Sequence, residues 1–164
     1  MFELSWEVSF TAFAAINSIG ALIFTWLQYS VSARKPDLDA IFSNGTKEIN
    51  FSIPPNRHNI EIIIKNNGNG VAKFVNLKVF FPNTWNIINP SESYYFSFSQ
   101  GNSKVIEYNG TIYNVIHSNS GLGLKDWIID IPANQYGRFE ILYSVQCENA
   151  DEKKGRLYIL TSRI

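Results

Sequence analysis

Apolar residues fall along this chain in two different rhythms. From Val8 to Leu27 they form a run of twenty residues with no charged side chain, whereas beyond Pro36 they alternate with polar residues at a period of two. At about 1.5 Å per residue, twenty helical residues span roughly 30 Å, the hydrocarbon thickness of a bilayer. The first rhythm therefore predicts one transmembrane helix over 8–29, preceded by a tail (1–7) and followed by a linker (30–35). The second predicts strands: Ile49, Phe51 and Ile53; Ile60, Ile62 and Ile64; Val75, Leu77, Val79 and Phe81; Tyr94, Phe96 and Phe98; Trp127, Ile129 and Ile131; Phe139, Ile141, Tyr143 and Val145; Leu157, Ile159 and Thr161. Asn109-Gly110, between alternating residues from Val105 to Val115, predicts a type I′ hairpin. Pro54-Pro55, Asn66 to Gly70, Pro82-Asn83, Gly121 to Gly123 and Asp151 to Gly155 read as turns. About eight or nine short strands with frequent turns and no further helix predict an Ig-like antiparallel β-sandwich over 36–164, with a closed barrel as the structural alternative.

Flanking residues refine the helix. Glu3 and Glu7 precede it and Arg34 and Lys35 follow it. A signal peptide has a basic start and a shorter apolar run, and Trp26, Gln28 and Tyr29 resemble an interfacial belt, so a retained anchor is expected despite the small residues Val31, Ser32 and Ala33. Basic flanks favour the cytoplasm, which predicts a single-pass inner (plasma) membrane protein with its N-terminus outside, its domain cytoplasmic, and Arg34 and Lys35 at the lipid headgroups. Projected at 100° per residue, Thr11, Ala14, Asn17, Ser18, Ala21, Thr25 and Gln28 share a small, polar face. Such a face predicts association with a second copy or with another membrane protein; the alternative is hydrogen bonding within the helix itself.

The segment Asn66-Asn67-Gly68-Asn69-Gly70-Val71-Ala72, followed by the strand from Val75 to Phe81, resembles the strand, N-x-G-x-G-x-A turn, strand pattern of CARDB-type Ig-like sandwich domains. It is also similar to small uncharacterised bacterial proteins that join such a domain to one amino-terminal membrane helix. The resemblance implies a fold and no catalytic residue. Val71 stands where proline is common in the pattern. Glycine and asparagine serve such a turn structurally; its functional reading is a loop in which Asn66, Asn67 and Asn69 contact a partner.

Candidate chemistry is sparse. His58 and His117 lie far apart, and Cys147 has no second cysteine with which to form a disulfide or zinc pattern. Gly121-Leu122-Gly123-Leu124-Lys125 lacks the spacing of a phosphate loop, and Asp126 and Asp130 share a face, which without a cleft and contrasting environments makes solvated strand positions and no acid/base pair. The triplets beginning at Asn44, Asn50 and Asn109 match a glycosylation pattern by coincidence in an Asn-rich chain. Lys and Arg total 14, as do Asp and Glu, so no basic footprint points to nucleic acid. Among the aromatics, alternation from Tyr94 to Phe98 directs Tyr94, Phe96 and Phe98 inward and Tyr95 outward, and an exposed Tyr95 with Trp85 forms a candidate protein-docking pair. No cofactor and no metal are expected. These features predict a non-enzymatic, membrane-anchored binding or assembly module with a protein partner. The rival is a membrane effector or sensor in a stress or phage-defence pathway.

Overall fold

A computed structural model describes the backbone of residues 6–32, 34–53, 57–88, 95–111 and 113–163, and the side chains of these except 6–13, 29, 31–32 and 53. The chain divides into two units, Met1–Arg34 and Lys35–Ile164.

The first unit is helix α1, Trp6–Ser32. Among the described residues, no helix is long and apolar enough to cross a membrane. This overturns the predicted span over 8–29, and with it the inner-membrane, single-pass placement. Asn17, Ser18, Gly20, Thr25 and Gln28 interrupt the apolar residues of the helix between Ala14 and Gln28. Two hydroxyls of the polar face bond within the helix, Ser18 Oγ donating to the Ala14 carbonyl and Thr25 Oγ1 to that of Ala21, both at 2.8 Å. Ser and Thr commonly satisfy themselves in this way. Thr11 lies outside the described side chains.

The second unit is a two-sheet β-sandwich. Its strands are β1 Leu38–Phe42, β2 Glu48–Ile53, β3 Arg57–Asn66, β4 Asn76–Pro82, β5 Asn86–Ile88, β6 Tyr95–Gln100, β7 Ser103–Asn109, β8 Gly121–Asp130, β9 Gly137–Cys147 and β10 Ala150–Arg163. One sheet has the order β1-β3-β8-β5 and the other β2-β10-β9-β4-β7-β6. Named neighbours pair antiparallel except β2 with β10, which run parallel. The predicted sandwich is therefore present, with ten strands among the described residues and one parallel pair.

Period-two alternation accounts for the core. Ile60, Ile62 and Ile64 of β3, Leu77, Val79 and Phe81 of β4, and Ile141, Tyr143 and Val145 of β9 are all buried in one cluster with Trp85 and Trp127, because every second side chain of a strand points to the same face. A polar clamp links β1 to β9 across this core. Tyr143 Oη donates to Asp39 Oδ1, and Lys47 Nζ lies 2.9 Å from the same oxygen and 3.3 Å from Tyr143 Oη. Burial opposes the Asp39 charge, but the hydrogen bonds from Tyr143 and Lys47 hold its carboxyl below the usual range. Burial and the bond to Asp39 raise the Tyr143 hydroxyl.

Several predicted turns are placed differently. Asn109 ends β7, and Gly110 donates its N–H to the Val75 carbonyl at 2.8 Å as the chain leaves for Ile116, which pairs with Ala72. No type I′ hairpin forms there, since this segment crosses toward the other sheet instead of reversing. A two-residue hairpin falls at Gly101-Asn102, where Gly101 has φ +58° at the first loop position, the requirement of a type II′ turn, and another joins β9 to β10 through Glu148-Asn149. Asp151 to Gly155 belongs to β10, with a bulge between Ala150 and Lys153, and Gly121 to Gly123 belongs to β8. Pro54-Pro55 lies outside the described residues.

Candidate functional site

The most distinctive surface is the solvent face of the six-stranded sheet, and register alone builds it. Phe98 pairs with Val105, Val105 with Phe80, Phe80 with Leu142, and Leu142 with Arg156. Cross-strand partners project to the same face, so one row of apolar side chains runs across β6, β7, β4 and β9 and ends on an arginine. Phe98 is 41% exposed and Leu142 47%, whereas Val105 is buried although it stands apart from the core cluster.

A charged row runs alongside. Phe96, 53% exposed, pairs with Glu107, Glu107 with Lys78, Lys78 with Ser144, and Ser144 with Lys154. Lys78 Nζ lies 3.8 Å from Glu107, Lys154 Nζ lies 3.4 Å from Glu152, and Arg156 Nε lies 3.4 Å from Glu140. A hydrogen bond from the Ser144 hydroxyl is the chief reason the Glu152 carboxyl titrates below its usual range. Between the two rows lies a groove of about 410 Å³ lined by Lys78, Phe80, Gln100, Leu142, Glu152 and Lys154. Apolar floor and paired charges at the rim form the pattern expected of a protein-docking patch.

Residues singled out from sequence occupy other roles. Tyr95 faces the core, its ring 5.4 Å from that of Tyr108 and 5.7 Å from that of Trp127. Phe96 and Phe98 consequently face out, the reverse of the predicted orientation; Tyr94 lies outside the described residues. The pairing of Tyr95 with buried Tyr108 fixes this parity, and a shift of one residue would exchange the two faces. Trp85 is buried, donating Nε1–H to Gln135 Oε1 at 2.7 Å, so the expected exposed pair of Tyr95 and Trp85 does not form. Asn66 is wholly buried and organises the turn. Its Oδ1 accepts the N–H groups of Asp37 and Gly68 at 3.1 and 3.0 Å, and its Nδ2 donates to the carbonyls of Gly70 and Ile116 at 2.7 and 3.2 Å. Gly68 leaves space for the 35–37 segment, since a Cβ there would stand 2.5 Å from the Lys35 carbonyl oxygen. Asn67 and Asn69 are exposed, as are Arg34 and Lys35.

The chemical candidates stay dispersed. His58 is half-buried against Phe51, the rings stacked 4.0 Å apart, and burial lowers its pKa against the opposing charge of Asp130. His117 lies in an exposed loop. A bulge between Ile60 and Ile62 interrupts the β3–β8 register, and Asp126 there takes φ +63°; beyond it Trp127 and Ile129 are buried, while Asp126 and Asp130 stay on the outer side of β8. Asp130 meets Arg57 at 3.5 Å and Asn86 at 3.3 Å. Cys147 lines a second cavity of about 420 Å³ beside the Lys153–Asp37 ion pair, and burial raises its thiol pKa. Among the described residues no three His, Cys, Asp or Glu side chains gather as metal ligands.

Sequence reasoning missed Phe80, Leu142, Lys78, Glu152 and Lys154. The available signal was the break in alternation: Phe80-Phe81 and Ile141-Leu142-Tyr143 put apolar side chains on both faces of their strands, which a sheet with one solvated face does not require.

No protein-family description matches the sequence, and no curated protein matches it. Among solved structures, the fold is similar to a type III cohesin module from the cellulosomal ScaE cell-surface anchoring scaffoldin of Ruminococcus flavefaciens, with TM-score 0.44 and 12% identity over 81% of this chain and 91% of that one. It is also similar to a DUF4466 family protein from Parabacteroides merdae ATCC 43184, with TM-score 0.36 and 14% identity over 74% of this chain and 42% of that one.

Proposed function

We propose that this chain is a binding module that acts by recognition and not by catalysis, with the solvent face of its six-stranded sheet docking a protein. The cross-strand row Phe98, Val105, Phe80 and Leu142 carries the reading. Large apolar side chains spaced by a rigid ladder offer anchors that need little ordering on binding, and the flanking Lys78, Glu107, Lys154 and Glu152 supply charges that set orientation. The partner that fits has apolar side chains for the groove and charges of both signs around them.

In-cell photocrosslinking tests this. A photoreactive amino acid at position 142 or 154 is expected to capture one discrete protein, whereas the same group at exposed position 65, on the other sheet, captures none. Leu142→Ser is expected to weaken capture from position 154 while leaving the melting temperature nearly unchanged. Equal capture from all three positions, or none from any, rejects this surface as the recognition site.

A further inference from the structure

The row of apolar residues ends at β6, and β6 is also the end of its sheet. A sheet edge is a template for another strand, and proteins usually protect it with charge, proline, a bulge or short length. Among the other edge strands, β2 carries Glu48 in an ion pair with Arg138, β1 carries Asp39 clamped by Lys47, and β5 is three residues long. β6, with the sequence YFSFSQ, has no charge and no proline over six residues, and its register with β7 is unbroken.

Backbone directions follow from the hairpin. A two-residue loop closes on a hydrogen-bonded pair, here Gln100 with Ser103. In an antiparallel ladder each residue sends its N–H and C=O to one side, and successive residues alternate. Phe96 and Phe98 therefore bond toward β7, while Ser97 and Ser99 direct theirs toward the open edge. Both serines are exposed.

We infer that β6 pairs antiparallel with β6 of a second copy of this chain, about a two-fold axis at Ser97, joining two six-stranded sheets edge to edge. The strand is self-complementary in that register. Ser97 meets Ser97 of the second copy in a hydrogen-bonded pair. Phe96 meets Phe98 of the second copy and Phe98 meets its Phe96, giving two aromatic cross-strand pairs, a favourable class of sheet contact. No charge opposes another within the paired strands. A register centred on Phe98 would instead set Phe96 against Gln100 and keep one aromatic pair. The interface is isologous, so it closes as a dimer. This inference stands independently of heterologous recognition at the Leu142 end of the row.

Cysteine placement in the full chain tests it. At Ser97 the two Cα atoms would lie about 5.5 Å apart, within disulfide range; at Ser99 they would lie four residues apart along the strands, about 13 Å. Under mild oxidation Ser97→Cys is expected to form a covalent dimer, and Ser99→Cys and the parent chain, whose Cys147 is buried, are not. Ser97→Lys is expected to abolish the dimer measured by sedimentation, without altering the circular dichroism spectrum or the capture of a partner from position 154. No crosslink from Ser97→Cys, equal crosslinking from Ser99→Cys, or a dimer unchanged by Ser97→Lys overturns the pairing. Loss of capture at position 154 with the Ser97 crosslink intact would instead remove the recognition reading alone.

Discussion

Replacing Asn66 with alanine probes whether the N-x-G-x-G turn is a structural hub. The substitution deletes four hydrogen bonds. The Ile116 carbonyl keeps a second donor, the Ala72 N–H at 2.9 Å, so three backbone groups lose the partner supplied by Asn66: the N–H of Asp37, the N–H of Gly68 and the C=O of Gly70. At about 1 kcal/mol net per bond, with a further penalty for whichever group stays dry, the expected loss is about 3–4 kcal/mol. Against a typical domain stability of about 5–15 kcal/mol, that is a large share. It lowers the melting temperature by about 10 °C for a domain of this size. Urea and thermal unfolding of Asn66→Ala beside Asn67→Ala and Asn69→Ala provides the assay, and the two exposed controls are expected within about 0.5 kcal/mol of the parent. A loss below 1 kcal/mol for Asn66→Ala, or an equal loss in the controls, refutes the hub.

Asp39 predicts an acid limb. Its folded pKa lies below the unfolded value of 3.8, so its contribution is present above that value and fades as pH falls through the folded pKa; Asp39→Asn is expected to flatten stability between neutral pH and that region, measured by urea midpoint against pH. An unchanged acid limb removes the clamp from the account. Phe74 holds φ +51° while 47% exposed, a backbone conformation that costs a bulky residue about 1–3 kcal/mol. Phe74→Gly is therefore expected to leave thermal stability equal or higher, and a loss above 1 kcal/mol would mean that the ring contributes packing its exposure does not reveal.

What the sequence made legible was the part of the fold with a buried residue at every second position. Ile60 to Ile64, Leu77 to Phe81 and Phe139 to Val145 reveal strands because one face is buried, even where Ile63, Phe80 and Leu142 keep the other face apolar. β1 escaped because Leu38, Ala40 and Phe42 form a short run beside a proline, and β5 because three residues carry too little periodicity. Asp151 to Gly155 has turn composition but continues β10 beyond the packed core, where backbone pairing with β9 holds polar residues in a strand. The parity of Tyr95 was not legible, since polar serines alternate with aromatics and only pairing with Tyr108 selects the buried face. For α1, the absence of charge conceals the polar content of its face, Asn17, Ser18, Thr25 and Gln28. Asn66 and Trp85 were visible as residue types able to bind; that their polar atoms are occupied internally depends on Gly70, Ile116 and Gln135, distant contacts that local pattern does not encode.

The parallel pairing of β2 with β10 has a temporal consequence. Among the described residues Glu48 to Ile53 finds its ladder in Tyr158 to Arg163, so most of the sandwich must be synthesised before β2 is covered. At about 5–20 residues per second, a ribosome leaves that strand waiting on the order of ten seconds. Ile49, Phe51 and Ile53 are then a nascent-chain liability, and yield in the cell depends on how well that interval is chaperoned as well as on the stability of the finished domain.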